Sequence, residues 1–397
     1  MLQTIIDFGK IELFDGFIFT PRIYGYGLML VLGFLSGIWL AHWRAKRMGE
    51  NHETVTVVGI LSLVGGIIGA RLAFVIQNRE QFANKGFASI FDVTSGGLIY
   101  YGGVLLATLM VVLYLWRKQI AIRRYLDIVA VSLMVGLAFG RAGCFLNGCC
   151  YGGRCDADWP LATQFPMYSE PMLKFDGRSN PFSTGIQGAS PVYSHQLEQR
   201  AIALHRQGKE DSLALAAAQQ VDGHINPDPK LLNNSARPRY VEYTQNEKKL
   251  FAPVLPLLPP ENFSAEQIRI ASASRSLPVR PAQALGFFNA LLIAALLCLF
   301  VRHRRREGQV FALLLILYPI TRFLLEGIRR DTALHFGLTH NQYTSLATVA
   351  AGIILLFVIS KLPASAGPTW AQRLAVEAQE SARSSVTKRE KRERRKR

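Results

Sequence analysis

The sequence predicts an all-α membrane protein that crosses the bilayer seven times. Half of the 397 residues are hydrophobic, and most of them are gathered into long apolar runs that basic clusters separate. The mean hydropathy is only +0.17 because two polar regions, 156–278 and 363–397, dilute these runs. A soluble domain of this length would not repeat runs of about 20 apolar residues in this way.

Seven runs have the length and composition of spanning helices. They are Tyr24 to Ala41, Thr54 to Ile76, Gly97 to Trp116, Tyr125 to Phe145, Ala282 to Val301, Gln309 to Gly327 and Gln342 to Leu362. The runs divide the chain into four parts. These are the first four spans (1–155), an insert (156–279), the last three spans (280–362) and a basic tail (363–397).

Basic residues at the ends of the odd-numbered spans predict the orientation, because cytoplasmic loops carry the excess of lysine and arginine. They are Arg44, Lys46 and Arg47 after the first span, Arg117, Lys118, Arg123 and Arg124 after the third, and Arg302, Arg304, Arg305 and Arg306 after the fifth. If every run crosses once, these loops and the tail share one side. We therefore expect the N-terminus and the insert outside and the C-terminus in the cytoplasm.

The net charge of +17 does not indicate a nucleic acid partner, because the excess lies largely in these loops and the tail. A basic tail beside a membrane favours contact with anionic lipid headgroups. The alternative is a tail that is merely solvated and disordered. We therefore expect membrane lipids, and no nucleic acid, among the partners.

The insert is rich in proline, asparagine, serine and glycine, and we expect one clearly helical piece in it, from about His195 to Gln220. Its apolar positions make only a loose stripe. They are Leu197, Ile202, Leu204, Leu213 and Leu215. With no repeat and no nucleotide-binding glycine motif, the insert is interpreted as a small extracytoplasmic segment that packs on the membrane domain.

Arg141 is the most informative residue, because it lies near the end of the fourth apolar run with Gly140 before it and Gly143 after it. A guanidinium in hydrocarbon is costly, so it usually persists where an anion or a water-filled cavity compensates it. The glycines leave room for a ligand or a second backbone. The first hypothesis is an anionic substrate held at the membrane surface.

The sixth run carries Tyr318, Arg322, Glu326 and Arg329, spaced so that they lie within roughly 80° of one helix face. An internal ion pair between Arg322 and Glu326 that only fixes helix packing would explain an isolated pair equally well. The second arginine favours a phosphate site instead, in which Glu326 orients an arginine or takes a proton.

Other polar groups in the apolar runs are ambiguous. Arg71 follows Gly65 and Gly69, whose spacing allows close helix packing, and it either contributes to a site or snorkels to the interface. The Tyr-Gly pairs in 24–27 and 100–103 are either functional or part of an interfacial aromatic belt.

Four of the five cysteines, Cys144, Cys149, Cys150 and Cys155, lie within twelve residues. Disulfides are plausible in an oxidising outer compartment, and small buried thiols that fill space beside glycines are about equally plausible. A metal site is the weakest interpretation, because paired C-x2-C knuckles are missing and adjacent cysteines do not easily ligate one tetrahedral ion together. We therefore expect no metal.

These residues carry a resemblance to the prolipoprotein diacylglyceryl transferase family of bacterial inner-membrane enzymes. The matching segments occur in family order over essentially all seven spans. They are Tyr24-Gly25-Tyr26-Gly27-Leu28-Met29, Gly65-Gly66-Ile67-Ile68-Gly69-Ala70-Arg71, Gly96-Gly97-Leu98-Ile99-Tyr100-Tyr101-Gly102-Gly103, Gly140-Arg141-Ala142-Gly143, Pro281-Ala282-Gln283 and Tyr318-Pro319-Ile320-Thr321-Arg322-Phe323-Leu324-Leu325-Glu326-Gly327-Ile328-Arg329.

The resemblance implies a transferase at the outer leaflet of the bacterial cytoplasmic membrane. Its partners would be phosphatidylglycerol and prolipoprotein signal peptides with a lipobox cysteine, and it would need no cofactor. Arg141, Arg322, Glu326 and Tyr26 are the implied catalytic residues. The implied substrate-binding residues are Arg141, Arg322, Arg329, Tyr318, Gly152, Tyr101, Gly102, Gly103, Asn147 and Arg71.

The chain also departs from the family pattern. Many members have His at the position of Tyr101, Asn at that of Cys144 and Glu at that of Cys149, and most have His at that of Arg280. The general base is therefore not identified, and the resemblance does not account for the long insert. Two other functions stay open: a thiol–disulfide oxidoreductase that uses the four clustered cysteines, and an anion-binding paralogue without activity.

Overall fold

The computed structural model describes residues 4–7, 11–14, 17–19, 22–82, 97, 99–168, 173–174, 190–207, 228–233, 237–245, 248–254, 257–258, 263–328, 334–335 and 337–379. Among these residues, seven helices are long and apolar enough to cross a membrane. They are Gly25–Arg47, His52–Gln77, Tyr100–Arg117, Ile122–Asn147, Ala282–Val301, Gln309–Glu326 and His340–Lys361. We number them as the first to the seventh span, and the predicted multi-pass helical architecture is confirmed.

The helix ends follow from local chemistry. The first span continues through Arg44, Lys46 and Arg47 because cations are favourable in a last helical turn. The second begins where the Asn51 side chain accepts a hydrogen bond from the backbone N–H of Glu53. Large side chains on the spans remain exposed, among them Trp39, Leu105, Phe288, Leu324 and Phe357. Apolar surface of this extent is typical of a face that contacts lipid.

The sixth span is shorter than predicted. It ends at Glu326, and Gly327 and Ile328 form a turn. The helical stripe contains Tyr318, Arg322 and Glu326. The predicted fourth member, Arg329, lies outside the described residues.

The chain divides into two compact units. The first unit comprises Met1–Gly33, Gly136–Leu291 and Ile320–Leu346, and it contains the whole insert. The second unit comprises Phe34–Val135, Leu292–Pro319 and Ala347–Arg397.

The first unit contains strands, so the prediction of an all-α protein is wrong in detail. Thr4–Asp7 pairs antiparallel with Arg22–Tyr24 and parallel with Leu173–Lys174. Arg239–Gln245 and Lys248–Val254 form an antiparallel hairpin in unbroken register. The hairpin strands are rich in aromatic and β-branched residues, which favour extended structure once one face is covered.

The insert has two described helices instead of the one predicted. Pro191–Arg206 begins four residues before the predicted His195, because Ser190 caps it and proline suits the first helical position. It ends at Arg206, and the rest of the predicted helix, 208–220, lies outside the described residues. The second helix, Ala265–Ala273, begins with a capping box of Ser264 and Gln267.

A small core holds the insert together. Its buried members are Met167, Tyr168, Tyr193, Leu197, Leu231 and Ala271. Burial raises the pKa of Tyr193 to about 12. The start and the end of the insert pair with each other through backbone hydrogen bonds. Thr163 and Val279 exchange two bonds of 3.0 Å, and the backbone N–H of Ser276 donates to the carbonyl oxygen of Phe165 at 2.8 Å. This paired stem ties the insert to the ends of the spans within the first unit.

In the second unit, Arg124 joins loops that are distant in sequence. Its guanidinium forms ion pairs with Glu50 and Glu307, the latter at 2.6 Å, and donates to the carbonyl oxygen of Gly367 at 2.6 Å. Glu50 follows the first span, Glu307 follows the fifth and Gly367 follows the seventh. The ends of spans one, three, five and seven are therefore held together around one buried arginine.

Candidate active site

Arg141 lies on the fourth span, against the fifth. A Cβ placed on Gly286 would lie 3.2 Å from the Cδ of Arg141 and 3.3 Å from its Nε. These distances are tighter than ordinary contacts, so glycine at position 286 makes the space that the arginine side chain occupies. Arg141 is half-buried, which suits a cation that has to reach a ligand.

Tyr26 lies beside Arg141 because the first and fourth spans approach closely. A Cβ on Gly143 would lie only 3.0 Å from the Cδ2 of Tyr26 and 3.2 Å from the Cβ of Met29. The Tyr26 phenol interacts electrostatically with the Arg141 guanidinium, and 39% of the residue is exposed. Two of the predicted catalytic residues, Tyr26 and Arg141, are thus neighbours, and neither is fully buried.

Glu326 fixes Arg322 on the sixth span. The carboxylate is 1% exposed, and its Oε2 lies 2.9 Å from the Nη1 of Arg322. Its Oε1 accepts a hydrogen bond of 2.9 Å from the Nδ2 of Asn341 on the seventh span. A carboxylate held in this way by two partners is suited to position the guanidinium.

The fifth span packs against Arg141 and against the residue that precedes Arg322. Gly286, against which Arg141 packs, lies one helical turn before Asn289. The Asn289 amide donates a hydrogen bond of 2.9 Å to the hydroxyl of Thr321, the residue next to Arg322. Arg141, Tyr26, Arg322 and Glu326 all belong to the first unit.

The segment after the fourth span turns sharply. The helix ends at Asn147, and Gly148 and Cys150 follow with φ of +70° and +59°. The buried amide of Gln283 donates a hydrogen bond of 2.7 Å to the carbonyl oxygen of Cys149. Gly152 donates 2.8 Å to the carbonyl oxygen of Arg280, and a Cβ there would meet that oxygen at 2.8 Å. Gly152 thus has a packing role, and its predicted contact with substrate stays a prediction.

The cysteine cluster differs from its predicted geometry. None of the five cysteines, all of which the structure describes, forms a disulfide, and the sulfurs of Cys144, Cys149 and Cys150 lie within 4.8 Å of one another. The sulfurs of the adjacent Cys149 and Cys150 are therefore close enough to share one ion, which the sequence did not indicate. The expectation of no metal stays a prediction. A hydrogen bond with Cys144 lowers the pKa of Cys149, whereas a hydrogen bond with Cys150 and burial raise it. The raising effects are larger together, so the pKa of Cys149 lies above its ordinary value.

In the second unit, Arg71 is buried, with an exposed fraction of 5%. Its Nη1 donates to the carbonyl oxygen of Gly97 at 3.3 Å, and the guanidinium lies 5.6 Å and 5.5 Å from the ring centroids of Phe74 and Phe82. These contacts argue against a side chain that only snorkels to the interface.

Gly102 and Gly103 lie where the third span contacts the second. A Cβ on Gly102 would lie 2.5 Å from the carbonyl oxygen of Gly69, and one on Gly103 would lie 2.7 Å from that of Gly66. Close packing is therefore a sufficient reason for both glycines, while their predicted substrate contacts stay predictions. Tyr101 beside them is 52% exposed.

Several residues that support the site were not predicted from the sequence. Asn289 had a signal, since it is a polar residue in the middle of the most apolar span. Gln283 was noted only as part of a motif. Asn341 and Gly286 carried no signal, because an amide at a helix start and a glycine in a span cost too little to be conspicuous.

Comparison with known proteins identifies the family. Residues 17–358 match the family described as prolipoprotein diacylglyceryl transferase. A relative from Rhodopirellula baltica is 29% identical over 378 residues, which cover 85% of this chain and 72% of the relative. One from Bdellovibrio bacteriovorus is 26% identical, with 89% and 95% covered, and one from Burkholderia thailandensis is 26% identical, with 83% and 88% covered. Each of the three is named phosphatidylglycerol–prolipoprotein diacylglyceryl transferase.

Proposed function

The chain belongs to the prolipoprotein diacylglyceryl transferase family, and on that premise we propose that it transfers the diacylglyceryl group of phosphatidylglycerol to the lipobox cysteine of prolipoproteins. It is a transferase and a multi-pass membrane protein with bacterial relatives. Thiol–disulfide exchange by its cysteines is not favoured, because the family and the relatives' names agree on lipid transfer.

The reaction exchanges one bond for another. The thiolate of the substrate cysteine attacks the glyceryl carbon that bears the phosphate, so a carbon–sulfur bond forms while the carbon–oxygen bond to phosphate breaks. Glycerol phosphate leaves with the electron pair, and the product is a thioether. Such a site has to bind a phosphodiester and stabilise the charge that grows on the leaving group.

Arg141 binds the headgroup phosphate in this proposal. Arginine suits the task because its planar guanidinium offers two parallel donors to phosphate oxygens. Arg322 adds a second positive charge, and Glu326 holds it in place from a buried position. The observation that carries the proposal is the packing of the fifth span against both regions: Gly286 lies against Arg141, and Asn289 bonds Thr321, the residue before Arg322.

Tyr26 contacts the reacting groups beside Arg141. We assign Arg71, Tyr101, Gly102, Gly103, Asn147, Gly152, Tyr318 and Arg329 to substrate binding. The site faces the outer leaflet, with the N-terminus and the insert 156–279 outside and the tail 363–397 in the cytoplasm. The clustering of the ends of the odd-numbered spans around Arg124 supports this arrangement.

The test uses the purified protein in vesicles with a lipobox peptide. We expect a thioether-linked diacylglyceryl peptide, detected by mass spectrometry, in vesicles of phosphatidylglycerol but not of phosphatidylethanolamine alone. A peptide with serine in place of the lipobox cysteine is the matched control. An inserted, folded protein that binds phosphatidylglycerol but yields no product would contradict the proposal and indicate an anion-binding paralogue.

A further inference from the structure

Three thiols converge next to the proposed phosphate site. The sulfurs of Cys144, Cys149 and Cys150 lie within 4.8 Å of one another, and each residue is half-buried. We propose that they bind a zinc ion as three thiolates and that the fourth ligand is the thiol of the substrate cysteine. The site of the ion rests on geometry alone, whereas the identity of the fourth ligand rests on the proposed transferase function.

The distances suit a tetrahedral ion. Zinc–sulfur bonds of about 2.3 Å place the sulfurs about 3.8 Å apart, so thiols within 4.8 Å need only small side-chain rotations to reach them. Three protein ligands leave one position open, which distinguishes a catalytic zinc site from a closed structural one. Soft thiolate ligands select zinc over hard cations such as Mg²⁺.

The backbone is built to bring these thiols together. Cys144 lies in the last turn of the fourth span, whereas Cys149 and Cys150 follow it through a turn with positive φ at Gly148 and Cys150. A left-handed conformation at a residue other than glycine is strained, and it persists where the surroundings enforce it. The buried amide of Gln283 fixes the carbonyl oxygen of Cys149 and so holds the turn in place.

The cluster is near the groups that would hold the phospholipid. Tyr26 interacts electrostatically with the thiols of Cys144, Cys149 and Cys150 and with the guanidinium of Arg141. A substrate thiol bound at the open position would therefore lie close to a phosphodiester bound by Arg141. Zinc favours the thiolate over the thiol, so the thiol proton is released to solvent on binding.

The transfer step follows from this placement. The substrate sulfur attacks the glyceryl carbon with one electron pair, the carbon–oxygen bond breaks, and glycerol phosphate leaves with the pair from that bond. A thioether is a much weaker ligand than a thiolate, so the product leaves the ion and frees the fourth position. The three protein thiolates remain bound and are neither oxidised nor alkylated.

The first experiment measures metal content. We expect the purified protein to contain one zinc ion per chain, and the variants Cys144→Ser, Cys149→Ser and Cys150→Ser to bind zinc at least about tenfold more weakly. Cys155→Ser and Cys298→Ser are matched controls, because these cysteines lie outside the cluster, and both should retain the ion. Circular dichroism spectra and elution profiles in detergent serve as the check that each variant is folded.

The second experiment tests the open position without turnover. Cobalt in place of zinc gives thiolate-to-metal charge-transfer bands, and we expect a lipobox peptide to intensify and shift them in the absence of phosphatidylglycerol. The peptide with serine in place of cysteine should leave the spectrum unchanged. An unchanged spectrum with the cysteine peptide would overturn the role of the substrate thiol as the fourth ligand.

The outcomes separate this inference from the proposed function. A protein that transfers lipid at full rate without metal overturns the role of zinc in the transfer. One that contains no zinc, or whose clustered thiols are found as a disulfide by intact mass, overturns the zinc site. Both results leave the transferase function standing. A protein that binds one zinc ion through the three cysteines and yields no thioether supports the site but contradicts the function.

Discussion

Arg141 and Arg322 are held in different ways, which predicts different responses to mutation. Arg141 has space made for it by Gly286 and remains half-buried, so it is placed to meet a ligand. Arg322 is fixed by the buried Glu326. Both arginines were predicted from the sequence because a charge in an apolar run is costly. Their supports, Gly286 and Asn341, were not predicted, because neither residue type is unusual where it occurs.

Replacing Arg141 by lysine keeps the charge but removes the two-pronged donor geometry, so we expect activity to fall even in this conservative change. Replacement by alanine also removes a charge-assisted hydrogen bond of roughly 1.5 to 3 kcal/mol, which corresponds to about 10- to 100-fold in rate. Initial rates in phosphatidylglycerol vesicles measure the effect. The exposed Arg269→Ala is the control, and near-normal transfer by a correctly inserted Arg141→Ala protein would remove this residue from the site.

Gly286→Ala tests the space around Arg141 without touching the arginine. The new methyl group would lie 3.2 to 3.4 Å from three atoms of the Arg141 side chain, so that side chain has to move. We expect KM for phosphatidylglycerol to rise while the protein stays folded. Gly66→Ala, which also adds a methyl group to a spanning helix but meets nothing within 4 Å, should leave KM unchanged. Equal KM values for the two variants would contradict the position assigned to Arg141.

Glu326→Gln should destabilise the protein, because it leaves Arg322 in a largely buried place without its counter-charge. Breaking such a pair costs about 2 kcal/mol or more, measurable as a lower thermal midpoint in detergent. The control is Glu266→Gln, which breaks the ion pair of Glu266 with Lys230. Both of these side chains are more than half exposed, so this change should not shift the thermal midpoint. Equal shifts in the two variants would mean that Glu326 does not stabilise the fold through Arg322.

At the scale of elements, the spans were predictable because length and hydropathy alone define them. The fifth span, Ala282–Val301, matches the prediction at both ends, since proline precedes it and an arginine cluster follows. The insert was harder, because helices such as Ala265–Ala273 are short and depend on a shared core that the sequence does not display. The hairpin of Arg239–Gln245 and Lys248–Val254 was not predicted, for the same reason.

The contact between the second and third spans depends on glycine. A Cβ on Gly69 would lie 2.4 Å from the carbonyl oxygen of Gly102, and backbone cannot give way as a side chain can. We expect Gly69→Ala to cost roughly 1 to 3 kcal/mol, as overpacking does, and to lower the thermal midpoint. Gly66→Ala, one turn away and in open space, is the matched control. A Gly69→Ala protein as stable as the control would contradict the close approach of these helices.

At the scale of the whole molecule, each compact unit by itself holds together segments that the sequence predicts to share one side of the membrane. The first unit holds the N-terminal strand Thr4–Asp7 together with the insert, to which it pairs at Leu173–Lys174. The second unit gathers the loops after the odd-numbered spans around Arg124. The sequence predicted that these loops share a side from their charges, but not that glutamates at positions 50 and 307 would bind the arginine.

Reporter fusions test the orientation directly. Alkaline phosphatase joined after Gln207 should be active, because an insert on the outer side exports the enzyme to where it folds, and a green fluorescent protein at the same place should stay dark. After Gln379 the pattern should reverse, since the basic clusters retain that end in the cytoplasm. Fusions after Lys118, at the end of the third span, are the internal control and should behave like those after Gln379, because Arg124 holds the two regions together. An active phosphatase after Gln379 with a silent one after Gln207 would invert the topology and place the site of Arg141 on the cytoplasmic side.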